Sequence, residues 1–537
     1  MQPEIILIAT LLLPLPGALL MWVLAPSDKS VRWAALGTTL LILVGAIVLV
    51  VMNPNNGEPY AIHDGPHSST FLDVQFFSVG LDGLGLWLFL LSAVLMVTAV
   101  LVSWTAIKER VGLFYGMLLL LEFGCLGVFT ARDIILFYVF FEFTLIPLFF
   151  LIGIWGSEDR RYAAIKFFLF TLAGSMLTFL GLLAIVLFDY SINQRATLVF
   201  SIPDLMEGLA DHPIPANWQV WIFLALFAGF AIKVPLFPVH TWLPLAHVQA
   251  PTAGSVFLAG ILLKIGVYGF LRFSVPFLPT ATALCMPWLL WLSVIGIIYG
   301  ALVALAQTDM KKLIAYSSVS HLGYCTLGLF ALTPLGVQGS ALQMINHGIS
   351  TGALFALVGM LYERYHTREI SQYGGLAQRF PRMTFFMVLF TFSAIGLPGT
   401  NGFAGEFLIL VGMFQRGWMS PELMVIAVLS VLGVVLGAWY MLSLVKRVFF
   451  GPLREPRGHD NSKPVSDLNI REVGALLPLA VFVFWIGLYP KFFLDRMAPT
   501  LDRLTKAAEE EVRHLDMDSE PQATSNRVDT ESIARVR

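Results

Sequence analysis

The chain has 537 residues, 57% of them hydrophobic and only 13% charged, with a net charge of −2 and a mean hydropathy of +0.78. Soluble domains carry about a quarter charged residues, so a water-soluble globular protein is excluded, and this much apolar side chain excludes a disordered one. A nucleic-acid binder is excluded as well, because phosphate recognition needs a basic surplus.

Apolar runs long enough to cross a bilayer, about 20 residues each, fall at 4–24, 33–52, 82–106, 112–130, 134–155, 163–189, 219–238, 253–273, 284–306, 313–332, 340–362, 382–412, 422–448 and 472–493. Unbroken runs predict helices, since barrel strands would alternate polar and apolar residues over about ten positions. The reading is an all-α polytopic membrane protein with about 14 transmembrane helices. No Lys or Arg precedes the first run, and Lys29 and Arg32 follow it. That pattern reads as a span rather than a cleavable leader. Most other basic residues, among them Lys108, Arg110, Arg160, Arg161, Lys311, Lys312, Arg364, Arg368, Arg379, Lys446 and Arg447, sit in odd-numbered connections, whereas 53–81 has none. By the positive-inside rule both termini lie on the outer side of a bacterial inner membrane.

Two spans are interrupted. Span seven ends AIKVPLFPVHTWLP, with Pro235 and Pro238 inside the apolar run. Span twelve reads AIGLPGTNGFAGEF, with Pro398, Gly399, Gly402 and Gly405 at mid-span. Such breaks free backbone groups that lipid cannot satisfy, so they survive only against protein or water, and in repeat-built transporters they mark the transport site. They lie five spans apart. Five is odd, so spans 4–8 and 9–13 read as inverted repeats. The chain then divides into helices 1–3 (1–110), a first repeat (111–275), a second repeat (282–450), a loop with helix 14 (451–497) and a charged tail (498–537), expected as a short surface helix followed by disorder.

An ionisable side chain at the bilayer centre costs about 2.5–3.5 kcal/mol on insertion scales, and this sequence contains several. Glu122 lies in span four and Glu142 in span five (FYVFFEFTLIP). Lys233 precedes the break of span seven, Lys264 is central in span eight (LAGILLKIGVYG), and Glu406 follows the break of span twelve. His240, His321 and His347 lie in or beside spans seven, ten and eleven. A single buried Lys–Glu pair can serve register alone, and Asp82, at a span end, reads as a cap. Eight such groups together read as a route for protons: carboxylate–lysine pairs that load and release them, and histidines that relay them. Cys125, Cys285 and Cys325 stand singly in apolar stretches, with no paired-cysteine motif and no nucleotide-binding loop. No cofactor is therefore expected in this chain.

The segments FYVFFEFTLIPLFFLIGIWG, AIKVPLFPVHTWLPLAHVQAPTAGSVFLAGILLKIG, MKKLIAYSSVSHLGY, NHGISTGALF and LPGTNGFAGEF resemble the antiporter-like subunits of respiratory complex I over roughly residues 80–450. The resemblance implies that Glu142 and Lys233 form an ion pair at the proton inlet. It makes Lys264 the central lysine, His321 and His347 a polar relay, and Glu406 the outlet residue. Sister subunits usually carry lysine at that last position, so Glu406 marks the glutamate-bearing branch of the family. It further implies a proton-translocating part of an NADH:quinone oxidoreductase, with L- and N-type subunits as neighbours. NADH, FMN, the iron–sulfur clusters and quinone would belong to partner subunits. The sequence departs from the family at Leu245, where LPLAH replaces the usual LPDAH. The alternatives are a subunit of a multisubunit Na⁺/H⁺ antiporter or a membrane-bound hydrogenase, and a structural membrane spacer.

Overall fold

The computed structural model describes residues 3–23, 27–52, 60–61, 70–71, 74–75, 78–456 and 465–519. The expected disorder of the tail beyond 519 lies outside them. A segment in hydrocarbon must close its own backbone hydrogen bonds, and each apolar run becomes a helix. α1 (Pro3–Leu12), α2 (Pro14–Val23) and α3 (Asp28–Met52) pack beside α4 (Gly83–Ala106) and α5 (Val111–Thr130). α6 (Ile134–Phe143), α7 (Leu145–Trp155), α8 (Arg160–Ile192), the short α9 (Ile202–Asp211) and α10 (Ala216–Lys233) follow. After the first break come α11 (Trp242–Gln249), α12 (Thr252–Phe257), α13 (Lys264–Gly269) and α14 (Val275–Phe277). Then run α15 (Pro279–Leu305), α16 (Met310–Phe330), α17 (Pro334–Tyr365) and α18 (Pro381–Ala394). Past the second break are α19 (Asn401–Gly417), α20 (Pro421–Phe449), α21 (Ile470–Leu488) and α22 (Lys491–Ser519). Twelve segments are long and apolar enough to cross a membrane, counting α1–α2, α6–α7 and α12–α14 as single spans; α16 and the α18/α19 pair are not among the twelve.

The core lies around α17, α4 and α12–α14. α17 touches α16, α18, α19, α4, α12 and α21. The outward faces of α3, α8, α10, α15 and α20 show Leu41, Leu180, Trp221, Leu302 and Val435 exposed. Apolar surface of that extent is stable against lipid rather than water.

Acidic residues start two of the helices. The Asp133 carboxylate accepts from Ile135 and Leu136 N–H at 2.8 and 2.9 Å, capping α6. Asp309 accepts from Lys311 and Lys312 N–H at 2.7 and 3.0 Å, capping α16. α21 starts in a capping box: Asn469 Oδ1 accepts from Glu472 N–H, and Glu472 Oε2 from Asn469 N–H, both at 2.9 Å. Arg364 on α17 holds the same Glu472 at 2.7 Å. Asn469→Ala should lower stability by about 1 kcal/mol, read as a lower unfolding midpoint of the purified protein in detergent.

The charged tail does not begin a separate element at 498. α22 starts at Lys491 and buries Phe493, Met497, Leu501, Leu504, Ala508 and Val512 along one stripe, the spacing of an amphipathic helix. It lies across α4, α14, α15 and α17.

Candidate functional site

Span seven breaks after Lys233. Proline removes donors and blocks helical continuation, and the chain closes the gap with Leu236 N–H donating to Ala231 O at 2.9 Å. The Trp242 indole N–H, at the start of α11, donates to the freed Ile232 carbonyl at 2.9 Å. The second break closes the same way, Leu397 N–H donating to Phe392 O at 3.0 Å. Here Asn346 Nδ2 of α17 donates to Asn401 O at 2.7 Å, and Ser393 Oγ to Asn401 Oδ1 at 2.5 Å. Gly396 is required at this turn on two counts. Its φ is +69°, and a Cβ there would stand 2.9 Å from Glu406 Oε2. Both breaks therefore face protein.

Span eight carries two π-helical turns, Leu258–Leu262 and Phe270–Ser274, on either side of α13. A π turn lets the chain miss its usual i−4 partners, and such bulges gather at functional sites. In the first, the Ala259 carbonyl accepts from Lys264 Nζ, five residues on. The same ammonium donates to His347 Nδ1 at 2.7 Å. That places the proton of the neutral imidazole on Nε2, which is buried without a partner. The His347 ring centroid lies 5.8 Å from that of His321. His321 Nδ1 meets Glu406 Oε1 at 3.0 Å, and its Nε2 accepts from the Tyr440 hydroxyl at 3.3 Å. Gln343 Nε2 donates to the same Glu406 oxygen at 3.1 Å. Four of the eight expected residues, from α13, α17, α16 and α19, thus stand in one line: Lys264, His347, His321, Glu406. Lys264 is fully buried, and each of the others is less than a tenth exposed.

The expected Glu142–Lys233 contact is different. No ion pair within 4.0 Å joins them among the described residues. Lys233 Nζ lies over the Phe141 ring, 4.5 Å from its centroid. One Glu142 oxygen is buried without a hydrogen-bond partner. Glu142 is the residue after Phe141 on a helix, and successive helical side chains diverge, so the lysine meets the ring rather than the carboxylate. Lys233 is close to the line nonetheless. Gly266 lets α13 lie against the end of α10, where a Cβ would stand 2.8 Å from Phe230 O.

Glu122 is fully buried on α5, with both oxygens unpartnered. His240 sits among Phe237, Tyr299 and Tyr316. Neither joins the line. Two residues outside the expected set come close to it. His247 on α11 is fully buried, stacks on Phe355 at 4.4 Å and has both ring nitrogens unpartnered. Lys311 on α16 is buried and donates to Ala250 O at 2.7 Å. A signal for His247 exists in the sequence. It stands six residues after Thr241, and Glu406 stands six after Thr400, and each threonine is the N-cap of the helix following a break. For Lys311 there is none, because at a helix start it reads as a loop charge.

These features define a multi-spanning membrane protein with a row of titratable side chains buried across it. Residues 131–436 match the NADH:quinone oxidoreductase/Mrp antiporter transmembrane family. NADH-quinone oxidoreductase subunit M of Rhodobacter capsulatus is 41% identical over 93% of this chain and 94% of its own. NADH-ubiquinone oxidoreductase chain 4 of Arabidopsis thaliana is 40% identical over 92% and 96%. Among solved structures, respiratory complex I from Thermus thermophilus contains a chain superposing with TM-score 0.81 at 33% identity, over 94% of this chain and 99% of that one. A chain of the Mrp complex from Dietzia superposes with TM-score 0.79 at 20% identity, a likeness of fold alone. The chain belongs to the subunit M/chain 4 family, the antiporter-like membrane subunits of respiratory complex I.

Proposed function

We propose that this chain moves protons across the membrane as part of complex I, through the residues named above, while quinone is reduced elsewhere in the complex. The observation that carries the reading is the line Lys264–His347–His321–Glu406. It spans four helices and ends in a carboxylate held at a helix break. An ammonium, two imidazoles and a carboxylate in sequence can each take and give one proton. At low effective dielectric a charge change at one is felt strongly at the next. Lys233 takes up the proton, with Glu142 as the movable carboxylate beside it. Lys233 passes it to Lys264, and the histidines carry it on to Glu406. NADH, FMN, the iron–sulfur clusters and quinone belong to partner subunits, and L- and N-type subunits flank this one.

The finer architecture of this reading has fourteen membrane passages, adding α16 and the broken α18/α19 pair to the twelve apolar spans, with both termini on the outer side of the bacterial inner membrane. Inverted repeats are supported by paired details. Asp133 and Asp309 cap helices at corresponding places, and each sits in an isolated antiparallel bridge, to Ser201 and Glu369. The two breaks close with the same i−5 backbone bond.

The test is Glu142→Gln in membranes, with assembly followed on a native gel. Proton pumping and NADH-quinone turnover should fall together by about tenfold or more, a barrier change of about 1.4 kcal/mol. An assembled complex with both rates at wild-type levels would favour the spacer reading instead.

A further inference from the structure

Lys264, Tyr268 and Arg272 follow one another at intervals of four on span eight, so they share one helical face. At about 1.5 Å rise per residue, Tyr268 stands about 6 Å along the axis from Lys264. The Arg272 guanidinium lies 5.1 Å from the Tyr268 ring and closes an ion pair with Asp82 at 2.5 Å. Asp82 also caps α4, accepting from Gly85 N–H at 2.8 Å. These three residues form part of the wall of a cavity of about 1050 Å³, which α9 and the amphipathic α22 close over with Glu207, Arg503 and Glu510. α22 is seated there by Gly83, whose N–H donates to Thr500 Oγ1 at 3.3 Å and whose missing side chain admits the Arg496 carbonyl. A polar cavity on the face carrying α22 thus reaches within one helical turn of the central lysine. The line toward Glu406 does not use it.

We propose that this cavity is a second proton exit, on the outer side, fed by Lys264 through Tyr268 and gated by the Asp82–Arg272 pair. In the transfer, one N–H bond of the Lys264 ammonium breaks and its electron pair stays on nitrogen. The Tyr268 oxygen binds that proton and releases its own, which ends on Asp82 and then in solvent. Arg272 keeps its proton throughout. While it holds Asp82, the carboxylate is occupied, and parting of the pair frees Asp82 to accept. The inference rests on the proton-transfer reading and topology given above.

Ala131 is on the cavity wall. In assembled complexes carrying Ala131→Cys, a bulky membrane-impermeant maleimide is applied to spheroplasts and, separately, to inverted vesicles. The parent chain, with its three buried cysteines, serves as control. The expected result is an adduct from the outer side only, followed by a fall in the proton-to-electron ratio of the same membranes. A purely structural wall would not lose pumping after assembly is complete. Tyr268→Phe keeps the ring against Phe129 and Phe137 and should lower the ratio without reagent. An adduct from the inner side alone would overturn the topology and with it the exit's direction. No adduct from either side, an adduct with pumping unchanged, or a wild-type ratio in Tyr268→Phe would overturn the exit and leave the topology standing.

Discussion

Lys264→Met should assemble into a complex at least as stable as the wild type that no longer pumps protons. Methionine keeps an unbranched chain of similar length and fills irregular space well. The wild-type ammonium is fully buried and satisfied only by His347 Nδ1 and the Ala259 carbonyl. No carboxylate pairs with it among the described residues. Replacing such a buried charge by an apolar side chain of similar volume is generally neutral or stabilising, so the lysine does not serve the fold. The loss falls on proton transfer, where a positioned acid–base group contributes on the order of 100-fold at the low end. The check is proton uptake by inverted vesicles driven by NADH, beside the unfolding midpoint of the purified complex. A destabilised variant that still pumped would show Lys264 to be a packing residue.

Glu406→Gln should have the second largest effect, and it leaves geometry nearly untouched. Glu406 Oε1 accepts from both His321 Nδ1 and Gln343 Nε2. An amide oxygen can receive the same two bonds, but it carries no charge and takes no proton. Among the described residues Glu406 is the carboxylate that touches either histidine of the line. Its loss should reduce pumping by roughly 100-fold, with assembly and α19 packing intact. The discriminating measurement is Glu406→Asp beside it. A shorter carboxylate should recover part of the pumping if the acid group matters, and none if only the side chain's length at the break does.

The membrane class, the buried charges and the two breaks were legible because each is local. Hydropathy accumulates over about 20 consecutive residues, and Pro235, Pro398 and the glycines near them interrupt a helix whatever surrounds it. The eight candidate residues stood out for the same reason, as charge where lipid forbids it. Partnership was not legible. Lys264 and His347 are 83 residues apart, and His321 and Glu406 are 85. Which of them touch depends on how α13, α16, α17 and α19 are rotated against one another. Small residues at their crossings set that rotation. Gly328 and Gly412, for instance, each bring the backbone of Gly336 within 2.6 Å of where a Cβ would sit.

The amino-acid sequence by itself determined a polytopic helical protein, its discontinuous spans seven and twelve, and an axis of titratable side chains at membrane depth. Only the tertiary structure decided that Lys264, His347, His321 and Glu406 form a line. It also set Lys233 over Phe141 rather than on Glu142, left Glu122 and His240 off the line, and brought His247 and Lys311 toward it. It joined the tail to α22, which closes over Asp82 and Arg272. The physical reason is the range of the interactions. Insertion into lipid is scored residue by residue along the chain, whereas a hydrogen bond needs two atoms within about 3 Å, and packing between distant helices is what brings them there.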